Sequence, residues 1–138
     1  LESGIDSKIV RTAAVQGKGA KFFDWLLNAL KNNAEIDLFA NTYFSPTPQN
    51  LLNDALVPMI TDYAAFPNIV HVVGNKRLSR CSLGQMICQM LANAKAEIVP
   101  VDAELISSTF QYDLSLVPSP IIENYTKKSF HQYLKELL

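Results

Sequence analysis

The stretch that decides the fold is Ile69-Val70-His71-Val72-Val73. It consists almost entirely of β-branched residues, and a short apolar run of this kind is typical of a strand that is buried on both faces of a sheet. Gly74 and Asn75 follow directly and end the run. We therefore predict a central buried strand over residues 69–73.

Helix-like and strand-like patterns alternate on both sides of this strand. Apolar residues that recur every three or four positions predict helices, and short apolar or alternating runs predict strands. The predicted helices cover 20–31, 51–63, 79–92 and 126–138, and the predicted strands cover 36–40, 97–101 and 110–116. Pro58 lies inside the second helix and predicts a kink there. This order predicts an α/β fold, a single-domain α-β-α sandwich with a central mixed sheet of about four strands.

Length and composition are those of one globular domain. The chain has 138 residues, of which 49% are hydrophobic and 18% are charged, so it has enough apolar surface for a core. Residues 1–17 are weakly patterned and predict a partly ordered N-terminal arm, and residues 18–138 predict the single α/β domain. The formal net charge of -1 excludes a uniformly basic coat for nucleic acid, but it allows a local basic patch.

Signatures of catalysis are missing from the sequence. No G-x-G-x-x-G motif follows a strand and no Walker-type loop is present, and the turn Gly17-Lys18-Gly19 favours a flexible helix start over a mononucleotide site. The two histidines, His71 and His131, have no metal-ligand spacing. We predict no catalytic residue, no cofactor and no metal, and the residues favour a non-catalytic protein over an enzyme.

Targeting signals are also missing. No apolar run approaches the roughly 20 residues that cross a bilayer, and the first residues do not resemble a signal peptide. Cys81 and Cys88 have neither a zinc spacing nor a disulfide pattern. We predict an intracellular protein, cytoplasmic or nuclear, that is not secreted and has no membrane partner.

The distribution of charge points to one end of the domain. No acidic residue lies between Asp62 and Glu97, and a basic group follows the central strand directly, where open α/β sheets bind ligands. A second basic group begins the first helix. If both groups lie at one end of the sandwich, they form an anion-binding edge; the alternative is a solvated polar rim. The candidate binding residues are Lys18, Lys21, Lys76, Arg77 and Arg80.

Residues 19–84 also show a distinctive order of elements and turns. A helix leads directly into a strand, and a second helix with Leu56-Val57-Pro58 runs to Asp62-Tyr63-Ala64. The turn Phe66-Pro67-Asn68 precedes the central strand, and the stretch from Asn75 to Arg80 looks like a basic-x-x-Leu-Gly-Arg turn. This half of the chain resembles the kink-turn RNA-binding family of ribosomal and small nucleolar ribonucleoproteins, and most of all the SECIS-element-binding branch.

The resemblance implies an RNA partner. It assigns Lys18 and Lys21 to the phosphate backbone and places Lys76, Arg77 and Arg80 near the same edge, where such contacts position RNA without reading its sequence. The implied function is that of a non-catalytic RNA-binding or scaffold subunit of a ribonucleoprotein complex, whose partners are RNA, protein subunits or both.

Two alternatives come from other features of the sequence. The first is a protein-protein interaction module on the same fold that has lost RNA readout. Its basis is the apolar stripe of the last helix, formed by Phe130, Tyr133, Leu134, Leu137 and Leu138. The second is a small-molecule or nucleotide-binding α/β domain. Its basis is the stretch Asn41-Thr42-Tyr43-Phe44-Ser45, which follows a predicted strand and has side chains suited to lining a pocket.

Overall fold

The structure is a computed structural model that describes residues 4–103 and 111–138. Within these ranges the chain forms nine short strands, four α-helices and two 3-10 helices. The strands are β1 Ile9–Arg11, β2 Val15–Gln16, β3 Glu35–Phe39, β4 Tyr43–Phe44, β5 Thr47–Pro48, β6 Ile69–His71, β7 Leu78–Ser79, β8 Glu97–Val101 and β9 Asp113–Leu114. The α-helices are α1 Lys21–Lys31, α2 Gln49–Thr61, α3 Arg80–Met90 and α4 Phe130–Glu136, and the 3-10 helices are Tyr63–Ala65 and Pro120–Asn124.

Most strand pairs are parallel and join distant parts of the chain. β1 pairs with β6, β2 with β5, and β3 with β8, each in parallel. β4 lies between β7, which is antiparallel to it, and β9, which is parallel. Parallel neighbours need long crossover connections, and helices supply them here. The predicted α/β class is confirmed, with the strands distributed among four small sheets.

Two hydrophobic clusters form the core. In the first, the inner face of α1 packs against β3 and α3 through Phe23, Leu26 and Leu30, which recur at three- and four-residue spacing. In the second, α2 packs against β6, with Leu51, Ala55, Met59, Phe66, Val70, Val72, Ile122 and Tyr133 buried. Side chains of α4 enter both clusters, so this short helix joins the two parts of the core.

Helix α4 begins later than the sequence pattern predicts. The predicted range was 126–138, and the helix begins at Phe130 because Ser129 and Gln132 form a capping box at its N-terminus. Its apolar stripe is not free for a partner: Phe130, Tyr133 and Leu134 are buried in the domain's own core. The Tyr133 hydroxyl donates to Oδ2 of Asp54 at 2.7 Å, and burial together with this carboxylate raises the pKa of Tyr133 to about 12.

The N-terminal segment takes part in the sheets. β1 and β2 both lie within residues 1–17, the range for which the sequence predicts a partly ordered arm. Residues Ile9 to Arg11 are in register with Ile69 to His71. The Lys8 Nζ atom adds a hydrogen bond to the carbonyl oxygen of Phe66 at 2.5 Å. Backbone pairing with distant partners forms β1 and β2, although the sequence around them has little periodicity of its own.

The remaining differences from the predicted elements are local. The predicted kink at Pro58 does not end the second helix, because α2 continues past Pro58 to Thr61. Strand pairing of the central run stops at His71, although Val72 and Val73 are buried. Of the predicted strand 110–116, only Asp113–Leu114 is a strand within the described residues, and residue 110 lies outside them.

None of the helices in the described ranges is both long and apolar enough to cross a membrane. Nor do three His, Cys, Asp or Glu side chains in those ranges come together in a group that holds a metal ion. Burial raises the pKa of the Cys81 thiol, which fits a packed structural cysteine and opposes a reactive thiolate.

Candidate functional site

Arg80 is held between two aromatic rings at the start of α3. Its Cζ atom lies 5.5 Å from the ring centroid of Phe22 and 5.3 Å from that of Phe44. Contacts of this kind attract a cation to the ring face and restrict the guanidinium. Within the part of the chain that the structure describes, no carboxylate forms an ion pair with Arg80. The charge is therefore fixed in place and available to an anion.

Two cavities meet at Arg80. We call the first the Trp25 cavity; it has a volume of about 310 Å³, and its walls include Phe22, Trp25, Asp37, Phe39 and Arg80. We call the second the Thr42 cavity; it has a volume of about 440 Å³, and its walls include Phe39, Thr42, Tyr43, Arg80, Gln111 and Leu114. Phe39 and Arg80 line both cavities, so a cation lies at their shared boundary.

The Trp25 cavity is built by α1 and the end of β3. Trp25 lies on the outer face of α1 with 48% of its surface exposed, and its ring centroid is 6.0 Å from that of Phe22. Phe39 ends β3 on the opposite side. Large apolar side chains on an outer helix face indicate a surface that binds something flat or apolar.

The Thr42 cavity has an outer wall formed by residues 111–116. β9 pairs with β4, and the Tyr43 N–H donates to the Tyr112 carbonyl oxygen at 2.7 Å. The Ser45 hydroxyl both donates to the Leu116 carbonyl oxygen at 2.8 Å and accepts from the Leu116 N–H at 2.9 Å. These contacts attach the wall to β4 along its length.

An ion pair fastens the same wall to the loop that follows the central strand. Arg77 Nε lies 3.0 Å from Oδ2 of Asp113, and the guanidinium of Arg77 stacks 3.7 Å from the ring centroid of Tyr43. Hydrogen bonds from Ser115, and then the bond and charge of Arg77, hold the pKa of Asp113 below its usual value. Arg77 is thus paired with a carboxylate of the same domain and links Asp113 to Tyr43.

The structure separates the five basic residues that the sequence singles out. Arg80 lines both cavities, Arg77 pairs with Asp113, and Lys21 is the exposed neighbour of Phe22. Lys18 and Lys76 are exposed and line neither cavity. Arg80 contacts Phe22, the residue that follows Lys21 in the sequence.

Sequence reasoning missed the aromatic part of the site. Phe22 and Phe39 look like ordinary core residues in the apolar pattern, and Trp25 breaks the polar outer face of α1. This tryptophan on a polar helix face is the one local feature of the sequence that indicates an aromatic binding surface. Of the interpretations of the sequence, only the small-molecule alternative includes Thr42 and Tyr43.

Two backbone N–H groups of the glycine turn before α1 already form hydrogen bonds within the protein. The Ala20 N–H donates to the Gly17 carbonyl oxygen at 3.0 Å, and the Gly19 N–H donates to Oδ2 of Asp24 at 2.9 Å. Asp24 lies in the first turn of α1, where a negative charge is favourable. A carboxylate thus takes the amide that a bound phosphate would use, and this turn does not fit a phosphate group.

A family model described as the RmlD substrate binding domain matches residues 1–111. The chain belongs to this family. No curated protein matches the chain.

Solved structures of reductases share its fold. A dTDP-4-dehydrorhamnose reductase from Bacillus anthracis in complex with NADP is 23% identical, with a TM-score of 0.72, over 94% of this chain and 46% of that one. The enzyme from Clostridium acetobutylicum is 19% identical, with a TM-score of 0.74, over 94% and 47%. A hypothetical reductase of this kind from Sulfolobus tokodaii is 27% identical, with a TM-score of 0.68, over 91% and 44%. The chain thus spans less than half the length of these proteins and has a Rossmann-like α/β fold.

These findings overturn the resemblance to kink-turn proteins. The prediction of an RNA-binding ribonucleoprotein subunit, with RNA and ribonucleoprotein partners, is wrong, because the family match and the similar structures are those of sugar-nucleotide reductases. The helix-strand order on which it was based recurs throughout open α/β folds. The Leu78-Ser79-Arg80 segment is strand β7 and the first residue of α3. The nucleotide-binding α/β alternative fits the findings better.

Two of the similar structures hold a nicotinamide dinucleotide, NADP in the reductase and NAD in a dTDP-glucose 4,6-dehydratase. Such cofactors place their pyrophosphate on a G-x-G-x-x-G turn between a strand and a helix. The glycine turn of this chain, Gly17-Lys18-Gly19-Ala20-Lys21-Phe22, has Phe22 where that motif has its third glycine. With Asp24 on its amide as well, this turn does not fit the pyrophosphate of such a cofactor.

Proposed function

We propose that the chain binds a nucleoside diphosphate sugar, as the substrate-binding part of an NAD(P)-dependent sugar-nucleotide reductase. The observation that carries the proposal is the placement of Arg80, a cation without a carboxylate partner in the described residues, where two cavities meet. A sugar nucleotide has the matching order of parts: a flat base, an anionic pyrophosphate, and a polar sugar.

Each part of the ligand has a chemically suited place. The Trp25 cavity offers aromatic faces on which a base stacks, and the Asp37 carboxylate accepts hydrogen bonds from a base N–H. Arg80 binds the pyrophosphate with its fork of N–H donors. The Thr42 cavity is lined by Tyr43 and Gln111, whose hydroxyl and amide groups suit the sugar. Both cavities have volumes in the ordinary range for ligand sites.

In this proposal the residues of the chain bind and orient the sugar nucleotide, and none of them holds the dinucleotide. The substrate class follows the printed names of the similar structures, which act on dTDP-linked sugars. The proposal includes the predicted intracellular location, in the cytoplasm. A nuclear location is not part of it, because the proposed activity needs no nuclear partner.

The only tryptophan of the chain provides the test. Trp25 lines the proposed base cavity, so binding of dTDP or of dTDP-rhamnose should quench its fluorescence with saturation. dTDP-rhamnose is the alcohol that reduction of dTDP-4-dehydrorhamnose produces. A titration in which neither compound changes the fluorescence, together with no heat of binding by calorimetry, would show that the proposal is wrong.

Arg80 is tested with a matched pair of variants. Arg80→Gln should weaken dTDP binding about 10- to 100-fold, since hydrogen bonds to charged groups contribute roughly 1.5–3 kcal/mol. Lys76→Gln removes the same charge from the loop before α3 without touching either cavity, and it should bind as the natural chain does. Arg80→Lys keeps the charge but loses the fork, so its affinity should lie between the two. Equal losses in Arg80→Gln and Lys76→Gln would point to a diffuse charge effect and against the site.

A further inference from the structure

Asp37 supplies the hydrogen-bond acceptor of the Trp25 cavity. Of the described residues that line this cavity, Asp37 is the only one whose side chain accepts hydrogen bonds, because those of Trp25 and Arg80 only donate and the others are apolar. Within the described residues, the Asp37 carboxylate forms neither an ion pair nor a hydrogen bond. It is therefore available to a ligand that carries donors.

The position of Asp37 in β3 places its side chain on the outer face of the strand. Ile36 and Leu38 on either side of it are buried, whereas Asp37 is exposed. Because side chains alternate along a strand, Asp37 shares its face with Phe39, an aromatic wall of the same cavity. Val101 is in register with Phe39 and also lines the cavity. The carboxylate thus lies on the same face as surfaces against which a base packs.

A carboxylate in this place discriminates among bases by their hydrogen-bond donors. Guanine carries two neighbouring donors, its N1–H and its N2 amino group, which match the two oxygen atoms of a carboxylate. Thymine and uracil carry one N–H between two carbonyl oxygens, and those oxygens repel a carboxylate. Adenine and cytosine carry an amino group beside a ring nitrogen that itself accepts. Guanine is therefore the base that an aspartate favours.

We propose that Asp37 is a specificity-determining residue that selects guanine, so that the ligand is a GDP-linked sugar; this rests on the proposed function. The similar structures are named for dTDP-linked sugars, but identities of 14–23% show a shared fold and not a shared base. In the proposed site Arg80 binds the pyrophosphate that all these ligands have in common. Asp37 reads the part in which they differ.

Three nucleotides test the inference on the natural chain by calorimetry. GDP presents both donors to Asp37, inosine diphosphate keeps the N1–H but lacks the N2 amino group, and dTDP presents one N–H between two carbonyl oxygens. We expect GDP to bind about 10- to 100-fold more tightly than either of the other two, as an additional hydrogen bond to a charged group does.

Two variants assign the preference to Asp37. Asp37→Asn keeps the shape of the side chain but replaces one acceptor oxygen by an amide donor. It should bind GDP about 10- to 100-fold more weakly. It should bind dTDP no more weakly than the natural chain does, because an amide pairs with the N–H and the adjacent carbonyl of thymine. Glu35→Gln is the matched control, since Glu35 lies two residues earlier on the same exposed face of β3 and lines neither cavity. It should leave the ratio of GDP to dTDP affinity unchanged.

The outcomes separate the two proposals. If dTDP or inosine diphosphate binds the natural chain as tightly as GDP does, the role of Asp37 is overturned and the proposed function stands. The same holds if Asp37→Asn retains the preference for GDP, or if Asp37→Asn and Glu35→Gln lose GDP affinity equally. Failure of the natural chain to bind any of the three nucleotides overturns both proposals. If Asp37→Asn does not fold, the natural chain decides, and equal affinities for GDP and inosine diphosphate overturn the inference.

Discussion

Gly74 is the position where one added methyl group should do the most damage to this fold. A Cβ atom there would overlap the carbonyl oxygen of Pro46 and would lie 3.1 Å from Cε2 and 3.2 Å from Cδ2 of Phe130. The Gly74 N–H also donates to Oγ1 of Thr47 at 3.3 Å in a buried setting. Gly74→Ala must therefore push two backbone segments apart.

The expected loss follows from these two contacts. Overpacking of a well-filled site costs roughly 1–3 kcal/mol, and a buried donor that loses its acceptor costs about 1–3 kcal/mol more. We expect a decrease of about 2–6 kcal/mol in the free energy of unfolding, a large part of the roughly 5–15 kcal/mol that such domains have. With an m-value of about 2 kcal/mol per molar urea, the unfolding midpoint should fall by roughly 1–3 M.

Urea unfolding followed by circular dichroism measures this shift, and Gly84→Ala is the matched control. A Cβ atom at Gly84 would meet Cδ1 of Leu38 at 2.6 Å. That atom is the end of a flexible side chain, and alanine within α3 is favoured over glycine by about 0.5–1 kcal/mol. Gly84→Ala should stay within about 1 kcal/mol of the natural chain. If both variants unfold at the same urea concentration, the reasoning from backbone contact is wrong.

Two further predictions concern ionisable groups. Tyr133→Phe removes the hydrogen bond to Asp54 and should lower the free energy of unfolding by about 1–2 kcal/mol. Calorimetry should show this as a decrease of roughly 3–6 °C in melting temperature. An unchanged melting temperature would contradict the prediction. Hydrogen bonds from Ser115, and then Arg77, lower the pKa of Asp113 in the folded chain. The ionised carboxylate therefore contributes to folding stability above its usual pKa of about 4, and this contribution is lost as the pH falls through the lowered value. NMR titration of the Asp113 carboxyl carbon should show that Arg77→Gln moves this pKa upward, and an unmoved pKa would exclude the ion pair as a cause.

The long elements could be predicted from the sequence because their patterns are local. The predicted strand 97–101 is β8, and the predicted helix 20–31 is α1 to within one residue. Strands β2, β4, β5, β7 and β9 have two residues each. Two residues carry no periodicity, so such strands are defined by their pairing partners. Those partners lie far away in the sequence.

The site could be predicted only in part, for the same reason. The charge pattern singled out Arg80, but it could not show that Phe22 and Phe44 hold its guanidinium. Nor could it show that Asp113 neutralises Arg77 across the sheet. The family was missed because helix and strand order is common to many α/β folds, while the glycine-rich motif that marks dinucleotide-binding proteins does not occur in this sequence.

The parallel pairing of the strands also has a kinetic consequence. Ile9 pairs with Ile69, Glu35 with Glu97, and Tyr43 with Asp113, so these three strand pairs form only when the later strand is available. Each closure orders a long loop before any contact rewards it, which makes folding slow. During synthesis, β1 and β3 emerge before the strands that pair with them, so their apolar side chains stay uncovered until those strands have been made.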